Sequence, residues 1–133
     1  MSDFTRAKGY VNLLNAAYTP TSMFQITYNG VYPYDGSGSG ANNGNYQIWL
    51  MSDDTQYYCV FQFTSIAVSS GTLGAKSGLE QLITGGTYRL ISISNPVTSS
   101  NVGSTGIWVY ETTTSVAGKM ASEVEHFLVR IPD

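Results

Sequence analysis

The chain has 133 residues, of which 42% are hydrophobic, 13% aromatic and 11% charged, and its formal net charge is −3. This length fits a single domain with one core, and the aromatic content argues against a disordered chain. The six basic residues are spread along the sequence, so it lacks the basic cluster that nucleic-acid binding requires.

The sequence shows no targeting or membrane signal. No apolar run approaches the roughly 20 residues of a membrane helix, and residues 1–6 lack the apolar core of a secretory signal. We therefore expect synthesis in a cytoplasm, no export by the ordinary route and no membrane insertion. Cys59 is the single cysteine, which excludes an internal disulfide.

The N-terminal segment, residues 3–18, combines apolar and polar side chains at spacings that permit a short helix or an arm lying on another surface. Pro20 ends this segment, because proline lacks a backbone N–H and disfavours helical geometry in the residue before it. We therefore divide the chain into an N-terminal arm or short helix, residues 1–20, and a β-domain, residues 21–133.

The first strand pattern follows directly. Residues 24–28 alternate apolar and polar side chains, as a strand does whose two faces meet different surroundings. The dipeptide Asn29-Gly30 suits the positive φ angles of a tight turn and predicts a hairpin. Residues 31–34 would form the returning strand, and Pro33 would confine that strand to a sheet edge.

Further strand patterns follow a glycine-, serine- and asparagine-rich loop at residues 35–45. Residues 46–51 and 57–68 are strong strand candidates, and the short loop between them predicts an antiparallel hairpin. Residues 78–83 fit either one helical turn or a short strand. Additional strands are predicted at residues 87–94, 106–111 and 124–131. Short strands at this spacing predict an all-β fold, an antiparallel β-sandwich of jelly-roll type.

Several predicted strands are apolar on both faces. In residues 57–68, Cys59 and Phe61 point to one face while Tyr58 and Val60 point to the other. A domain of this size has room for one core, so the second face either meets a subunit, another protein or a ligand, or is covered by helices, loops or the N-terminal segment. We predict the first arrangement, with the interface residues Tyr58, Val60, Phe61 and Leu128.

The sequence offers no catalytic constellation. His126 is the single histidine, and its neighbour Glu125 would point to the opposite face of the predicted strand. Cys59 is predicted to be a buried, inert thiol, because no basic residue lies near it in sequence. Asp35 and Asp53 are predicted to stabilise turns rather than to bind calcium. We therefore predict no enzyme activity, no metal site and no cofactor.

A recognition surface is the remaining candidate for a functional site. Sugar-binding sites combine an aromatic ring, which packs on the apolar face of a sugar, with amides and carboxylates that bond its hydroxyl groups. An alternative for the same residues is a tyrosine-rich strand edge and a solvated loop, with the tryptophans in the core or in an interface. The candidate ligand-binding residues are Tyr34, Asp35, Asn42, Asn43, Trp108 and Tyr110, the last two on one face of their strand.

In size and composition the chain resembles the small β-sandwich proteins of bacteriophage and other virus particles, such as head decoration or cement proteins and fibre or spike heads. The resemblance implies a non-enzymatic virion structural protein, made in the host cytoplasm. It would be a homo-oligomer, specifically a trimer, attached to other virion proteins or to a host surface glycan. The alternative function is a lectin or receptor-binding module that recognises glycans, and a small hydrolase is a third, weaker hypothesis.

Overall fold

The structure, a computed structural model, describes residues 1–31, 44–66, 78–83 and 87–113. These residues are mostly β, with antiparallel strands and one short helix, which confirms the predicted strand-dominated, antiparallel class. In chain order the elements are α1 (Asp3–Leu14), β1 (Ser22–Val31), β2 (Gly44–Ser52), β3 (Tyr57–Ser65), β4 (Gly78–Ile83), β5 (Thr87–Ser92) and β6 (Ile107–Glu111).

Four of the strands form one sheet in the order β1-β2-β3-β6, and β4 pairs with β5 in a separate hairpin. All the pairings are antiparallel. One register row runs straight across the larger sheet, with Ile26 opposite Ile48, Ile48 opposite Phe61, and Phe61 opposite Trp108. Because cross-strand partners share a face, each such row places four side chains on the same side of the sheet.

The N-terminal segment is a helix, so the choice between an arm and a helix is decided. Its first turn is capped by Ser2, whose Oγ accepts a hydrogen bond from Thr5 N at 3.3 Å. The helix ends at Asn15, whose N–H donates to the Val11 carbonyl at 2.8 Å. Ala7 and Val11 lie one turn apart on the face that packs against the sheet, and both are fully buried.

The helix covers one face of the larger sheet and forms with it what we call the helix-side cluster. Trp49, Val60 and Val109 are central to it and are at most 1% exposed. The other face of the sheet packs against the β4–β5 hairpin and the residues after it, and we call this the hairpin-side cluster. The helix-side cluster comprises Ala7, Val11, Tyr18, Trp49, Met51, Tyr58, Val60, Ile107 and Val109; the hairpin-side cluster comprises Tyr46, Ile48, Cys59, Phe61, Phe63, Leu79 and Ile93.

Strands that are apolar on both faces are therefore covered on both faces by other parts of the same chain. The strand pattern of β3 places Tyr58 and Val60 in the helix-side cluster, while Cys59, Phe61 and Phe63 belong to the hairpin-side cluster. Two separate layers, one helical and one β, bury the two faces. A strand at the centre of such a three-layer arrangement needs apolar residues at successive positions.

The predicted turn at Asn29-Gly30 is wrong. β1 runs through this dipeptide to Val31, and the register with β2 shifts between Tyr28 and Val31, which marks a β-bulge. Gly30 has φ +68°, and its N–H donates to Asn45 Oδ1 at 2.8 Å. The positive φ angle of Gly30 therefore belongs to the bulge and not to a hairpin turn, and β1 continues through this dipeptide as a longer strand.

The structure confirms the other strand predictions that fall within the described ranges. The hairpin of β2 and β3 is confirmed, and residues 78–83 are a strand rather than a helical turn. Gly44 and Asn45, predicted as the end of a loop, begin β2. The remaining loop residues and the predicted strand 124–131 lie outside the described residues. No helix in the described ranges is long and apolar enough to span a membrane.

Candidate functional site

The outer edge of β1 is the candidate functional site. Among the strands that the structure describes, β1 pairs only with β2 and forms one edge of the four-stranded sheet. Its ten residues include no charged side chain and no proline. Natural edge strands are commonly protected by charge, proline or short length, because their unpaired N–H and C=O groups can accept another strand. Apart from its bulge, β1 has none of these protections.

Phe24 stands out on this strand because its side chain is 63% exposed. It lies opposite Leu50 in the sheet register, on the face of the hairpin-side cluster. Ile26 and Tyr28 follow on the same face and are partly buried against that cluster, where the Tyr28 ring stacks on Tyr46 with 4.6 Å between ring centroids. One side of the edge is therefore apolar and aromatic, and its outermost aromatic ring is left in solvent.

The opposite face of β1 is polar at Gln25 and Thr27, beyond Met23, which packs against the helix-side cluster. Gln25 Nε2 donates to Thr27 Oγ1 at 3.1 Å, and Gln47 Nε2 on β2 donates to the same oxygen at 3.2 Å. These side chains form a row of hydrogen-bonded amide and hydroxyl groups that lies beside α1. The edge thus presents an alternation of polar and apolar side chains, which is the pattern that a pairing strand would have to match.

Arg6 on α1 connects the helix to this polar row. Its Nη2 donates to Asp3 Oδ1 at 2.9 Å and to Gln47 Oε1 at 3.3 Å. Its guanidinium carbon also lies 5.2 Å from the centre of the Trp49 ring, a cation–π geometry. These contacts hold the first turns of the helix on the sheet next to β1.

Three buried polar atoms near this contact have no hydrogen-bond partner within the described residues: Arg6 Nε, Trp49 Nε1 and Gln62 Oε1. Each has almost no accessible surface, so none can reach a ligand at the protein surface. An unpaired buried polar group opposes folding by about 1–3 kcal/mol. Packing of the Trp49 ring, rather than a hydrogen bond from its N–H, therefore holds this part of the core together.

Cys59 is the inert thiol that the sequence predicts. It is 0% exposed in the hairpin-side cluster, and burial raises the pKa of its thiol well above the usual range. Since the thiolate is the reactive form of cysteine, a buried thiol of raised pKa is a poor nucleophile and a poor metal ligand.

We expect native Cys59 to react with a soluble aromatic disulfide such as Ellman's reagent at least about a hundredfold more slowly than the same chain in denaturant, because reaction requires opening of the core. The measurement is the absorbance of released thiolate at pH 8 with and without guanidinium chloride. Equal rates in the two conditions would show that Cys59 is accessible in the native protein.

Asp53 stabilises a turn, as predicted. Its Oδ1 accepts hydrogen bonds from Thr55 N at 2.9 Å and Gln56 N at 2.6 Å, and these bonds hold the pKa of the carboxyl below its usual value. Asp54, the next residue, adopts φ +72°. Within the described ranges no group of three or more histidine, cysteine, aspartate or glutamate residues could hold a metal ion. Asp35 lies outside those ranges.

The residues predicted for ligand binding are only partly described. Tyr34, Asp35, Asn42 and Asn43 lie outside the described residues, so their arrangement relative to β6 stays a prediction. Trp108 and Tyr110 lie on one face of β6 and pack, half-buried, against the hairpin-side cluster. The indole N–H of Trp108 donates to the Pro96 carbonyl at 3.1 Å, and burial raises the pKa of Tyr110.

The residues predicted for a subunit interface are buried within the chain where the structure describes them. Tyr58 is 3% exposed, Val60 0% and Phe61 2%, under α1 or on the hairpin side. Leu128 lies outside the described residues, as does His126. Sequence reasoning missed the exposed Phe24 and the contact of Arg6 with Trp49. The absence of charge and proline from residues 22–31 was the available signal for an unprotected edge.

Comparison with known proteins places this architecture in a family. The sequence model of the Nidogen-like domain family matches residues 3–114. Nidogen-1 of Rattus norvegicus is 29% identical over 119 residues, covering 71% of this chain and 37% of the relative. Nidogen-1 of Mus musculus is 27% identical over 119 residues, covering 71% of this chain and 10% of the relative. The chain thus spans less than half the length of both relatives. No solved structure gives a significant match.

These matches correct the functional predictions made from composition. A virion structural protein, whether a capsid decoration protein or a fibre head, is wrong, because the chain matches the Nidogen-like domain family and Nidogen-1 of two rodents. Localisation to a virion after synthesis in a host cytoplasm is wrong for the same reason. The match covers most of the chain, and the chain belongs to the Nidogen-like domain family.

Proposed function

We propose that this chain is a non-enzymatic protein-binding domain of an extracellular structural protein. The observation that carries the proposal is the family match over residues 3–114, which extends from the start of α1 to just beyond β6. The matched relatives are structural proteins of the extracellular matrix, and such proteins act through binding rather than catalysis.

The geometry of β1 supports binding to a protein. An extended segment added to a free sheet edge gains main-chain hydrogen bonds for affinity and alternate side-chain contacts for specificity. The edge of β1 has the required length, carries no charge, and leaves Phe24 in solvent. Exposed aromatic side chains are favoured in protein interfaces because they bury a large area at little conformational cost.

The state of Cys59 is compatible with an oxidising extracellular compartment. An accessible single cysteine would form intermolecular disulfides in an oxidising compartment. Cys59 is fully buried, and burial raises the pKa of its thiol, so the domain tolerates such a compartment with its thiol free.

We also propose the sandwich architecture for this domain. The support is the packing of Leu79 in β4 and of Ile93, directly after β5, against Ile48 and Phe61 of the larger sheet. Two β-layers that bury one common cluster are the defining feature of a sandwich. The jelly-roll connection requires further strands and stays a prediction.

The test is retention of the intact protein on a cell-free extracellular matrix preparation after washing. We expect the wild-type protein to be retained and Phe24→Glu to bind about tenfold more weakly, because the exposed ring is lost from the contact. Leu13→Glu is the matched control, since Leu13 is 59% exposed on α1 and the charge change is the same. The proposal is overturned if the wild-type protein is washed off, or if all three proteins bind equally.

A further inference from the structure

The direction of the backbone groups on β1 follows from hydrogen bonds at the other side of the sheet. Tyr57 O accepts from Thr112 N at 2.7 Å, and Phe63 N donates to Gly106 O at 2.8 Å, so the odd-numbered residues of β3 direct their backbone groups toward β6. Along an antiparallel strand the direction alternates from residue to residue. Even-numbered residues of β3, such as Val60, therefore direct theirs toward β2.

The same alternation continues across the sheet to β1, the outermost strand on this side among those that the structure describes. Val60 lies opposite Trp49, so the odd-numbered residues of β2 face β3 and the even-numbered ones face β1. Ile48 lies opposite Ile26, so the even-numbered residues of β1 form the bonds to β2. The backbone N–H and C=O groups of Gln25 and Thr27 consequently point outward from the sheet.

Resting on the proposed use of β1 as a contact surface, we propose that β1 pairs with β1 of a second copy of the chain, antiparallel about a two-fold axis at Ile26, and that the resulting dimer is the form that binds the matrix. In this register Ile26 faces its own counterpart. Gln25 lies opposite Thr27 of the second copy, and Phe24 lies opposite Tyr28. The two four-stranded sheets join into one continuous sheet.

The direction of the backbone groups permits this register. Hydrogen-bonded pairs form only between residues whose backbone groups point outward on both strands, and Gln25 opposite Thr27 satisfies this on both sides of the axis. Phe24 and Tyr28 then form non-hydrogen-bonded pairs, where side chains approach most closely and aromatic pairs stabilise most. The axis at Ile26 also overlaps nearly the full length of β1, because Ile26 lies close to the middle of Ser22–Val31.

The chemistry of the strand favours a second copy over an unrelated partner. A two-fold axis brings like residues close together, so a charged edge strand would repel its own copy. β1 carries no charge. Its polar face matches itself, because Gln25 already donates to Thr27 within one chain at 3.1 Å and can make the same contact across the axis. Its apolar face also matches itself through Phe24, which is buried only on pairing.

The two-fold arrangement predicts a dimer in place of the trimer that composition suggested. We expect sedimentation equilibrium of the intact protein to show a reversible dimer whose dissociation constant rises at least about tenfold in Phe24→Glu. The same is expected of Gln25→Pro, which removes an outward N–H and leaves the bonds to β2 in place. Leu13→Glu should dimerise like the wild type. A monomer at every concentration, or a dimer unaffected by both β1 variants, overturns the proposal.

The register has its own test in disulfide trapping. Non-hydrogen-bonded partners lie about 4.5 Å apart between Cα atoms, within the range for a disulfide, so Ile26→Cys should give a covalent dimer on mild oxidation. Thr27→Cys should stay monomeric on a non-reducing gel. In this register residue 27 lies opposite residue 25 of the second copy, so the two introduced cysteines are diagonal neighbours and too far apart for a disulfide. The opposite result overturns the register. If a strictly monomeric protein is retained on the matrix, the β1 pairing is overturned and the proposed function stands. If the protein dimerises but is not retained, the pairing stands and the proposed function is overturned.

Discussion

Gly106→Ala is expected to destabilise the domain by more than about 3 kcal/mol, a large part of the stability of a domain of this size. Gly106 has φ +79°, and an added Cβ would lie 2.5 Å from the Phe63 carbonyl oxygen. The backbone cannot move away freely, because Gly106 O accepts from Phe63 N at 2.8 Å and Gly106 N donates to Ser99 O at 2.9 Å. Urea unfolding followed by tryptophan fluorescence measures the loss.

Gly103→Ala is the matched control for that variant. Gly103 has nearly the same backbone angle, φ +77°, but nothing lies within 4 Å of an added Cβ. The substitution adds only the cost of a left-handed backbone at a residue with a Cβ, so we expect the free energy of unfolding to fall by about 1–2 kcal/mol. The difference between the two variants isolates the close approach of the chain at Gly106 to β3. Equal losses would show that β3 and the turn before β6 are not held together as described.

Trp49→Ala is expected to lower the free energy of unfolding by about 3–5 kcal/mol. Trp49 is 0% exposed at the centre of the helix-side cluster, where it contacts the Tyr10 ring at 6.2 Å between centroids and lies under Arg6. Truncation leaves a cavity between α1 and the sheet that the neighbouring side chains cannot fill. The measurement is the midpoint and slope of urea unfolding, monitored by far-ultraviolet circular dichroism, because the substitution removes a fluorophore.

Trp49→Phe separates packing from polarity at the same position. It keeps an aromatic ring under Arg6 and removes an indole N–H that has no partner among the described residues. The lost volume and the relieved desolvation oppose each other, so the expected change is below about 1.5 kcal/mol. A loss as large as that of Trp49→Ala would mean that the indole N–H makes a stabilising bond. The two variants together test whether α1 is held by packing on Trp49.

Much of the strand architecture could be predicted from residue patterns because its causes are local. The β2–β3 hairpin follows from two apolar runs joined by a short polar loop, and the Asp53 side chain closes that loop by accepting backbone N–H groups two and three residues ahead. Each of these depends on contacts between residues close in sequence.

The course of β1 shows where local patterns mislead. Asn29-Gly30 has the backbone preference of a hairpin turn, yet it forms a bulge because Asn45, on the neighbouring strand, supplies an acceptor for Gly30 N–H. The sequence pattern is compatible with both outcomes. A partner that is distant in sequence selects one of them.

The candidate site could not be located from sequence for a related reason. Whether an apolar strand position is buried or exposed depends on which layer covers it, and a single sequence states only that the position is apolar. Phe24 and Phe61 have similar local patterns, but Phe61 lies at 2% exposure under the hairpin side while Phe24 lies at the edge with 63%. The two residues differ in exposure because Phe61 lies on β3, inside the four-stranded sheet, while Phe24 lies on β1, its outermost described strand.

Residue patterns along the chain establish that this protein is built from short antiparallel strands with apolar residues on both faces, because side-chain alternation and turn chemistry are properties of neighbouring residues. Contacts between distant elements set which layer covers each face, with α1 on one side and the β4–β5 hairpin on the other, and which of the described strands lies at the edge. These depend on burial between elements far apart in the chain, whose energy is non-directional and is therefore not encoded at any single position.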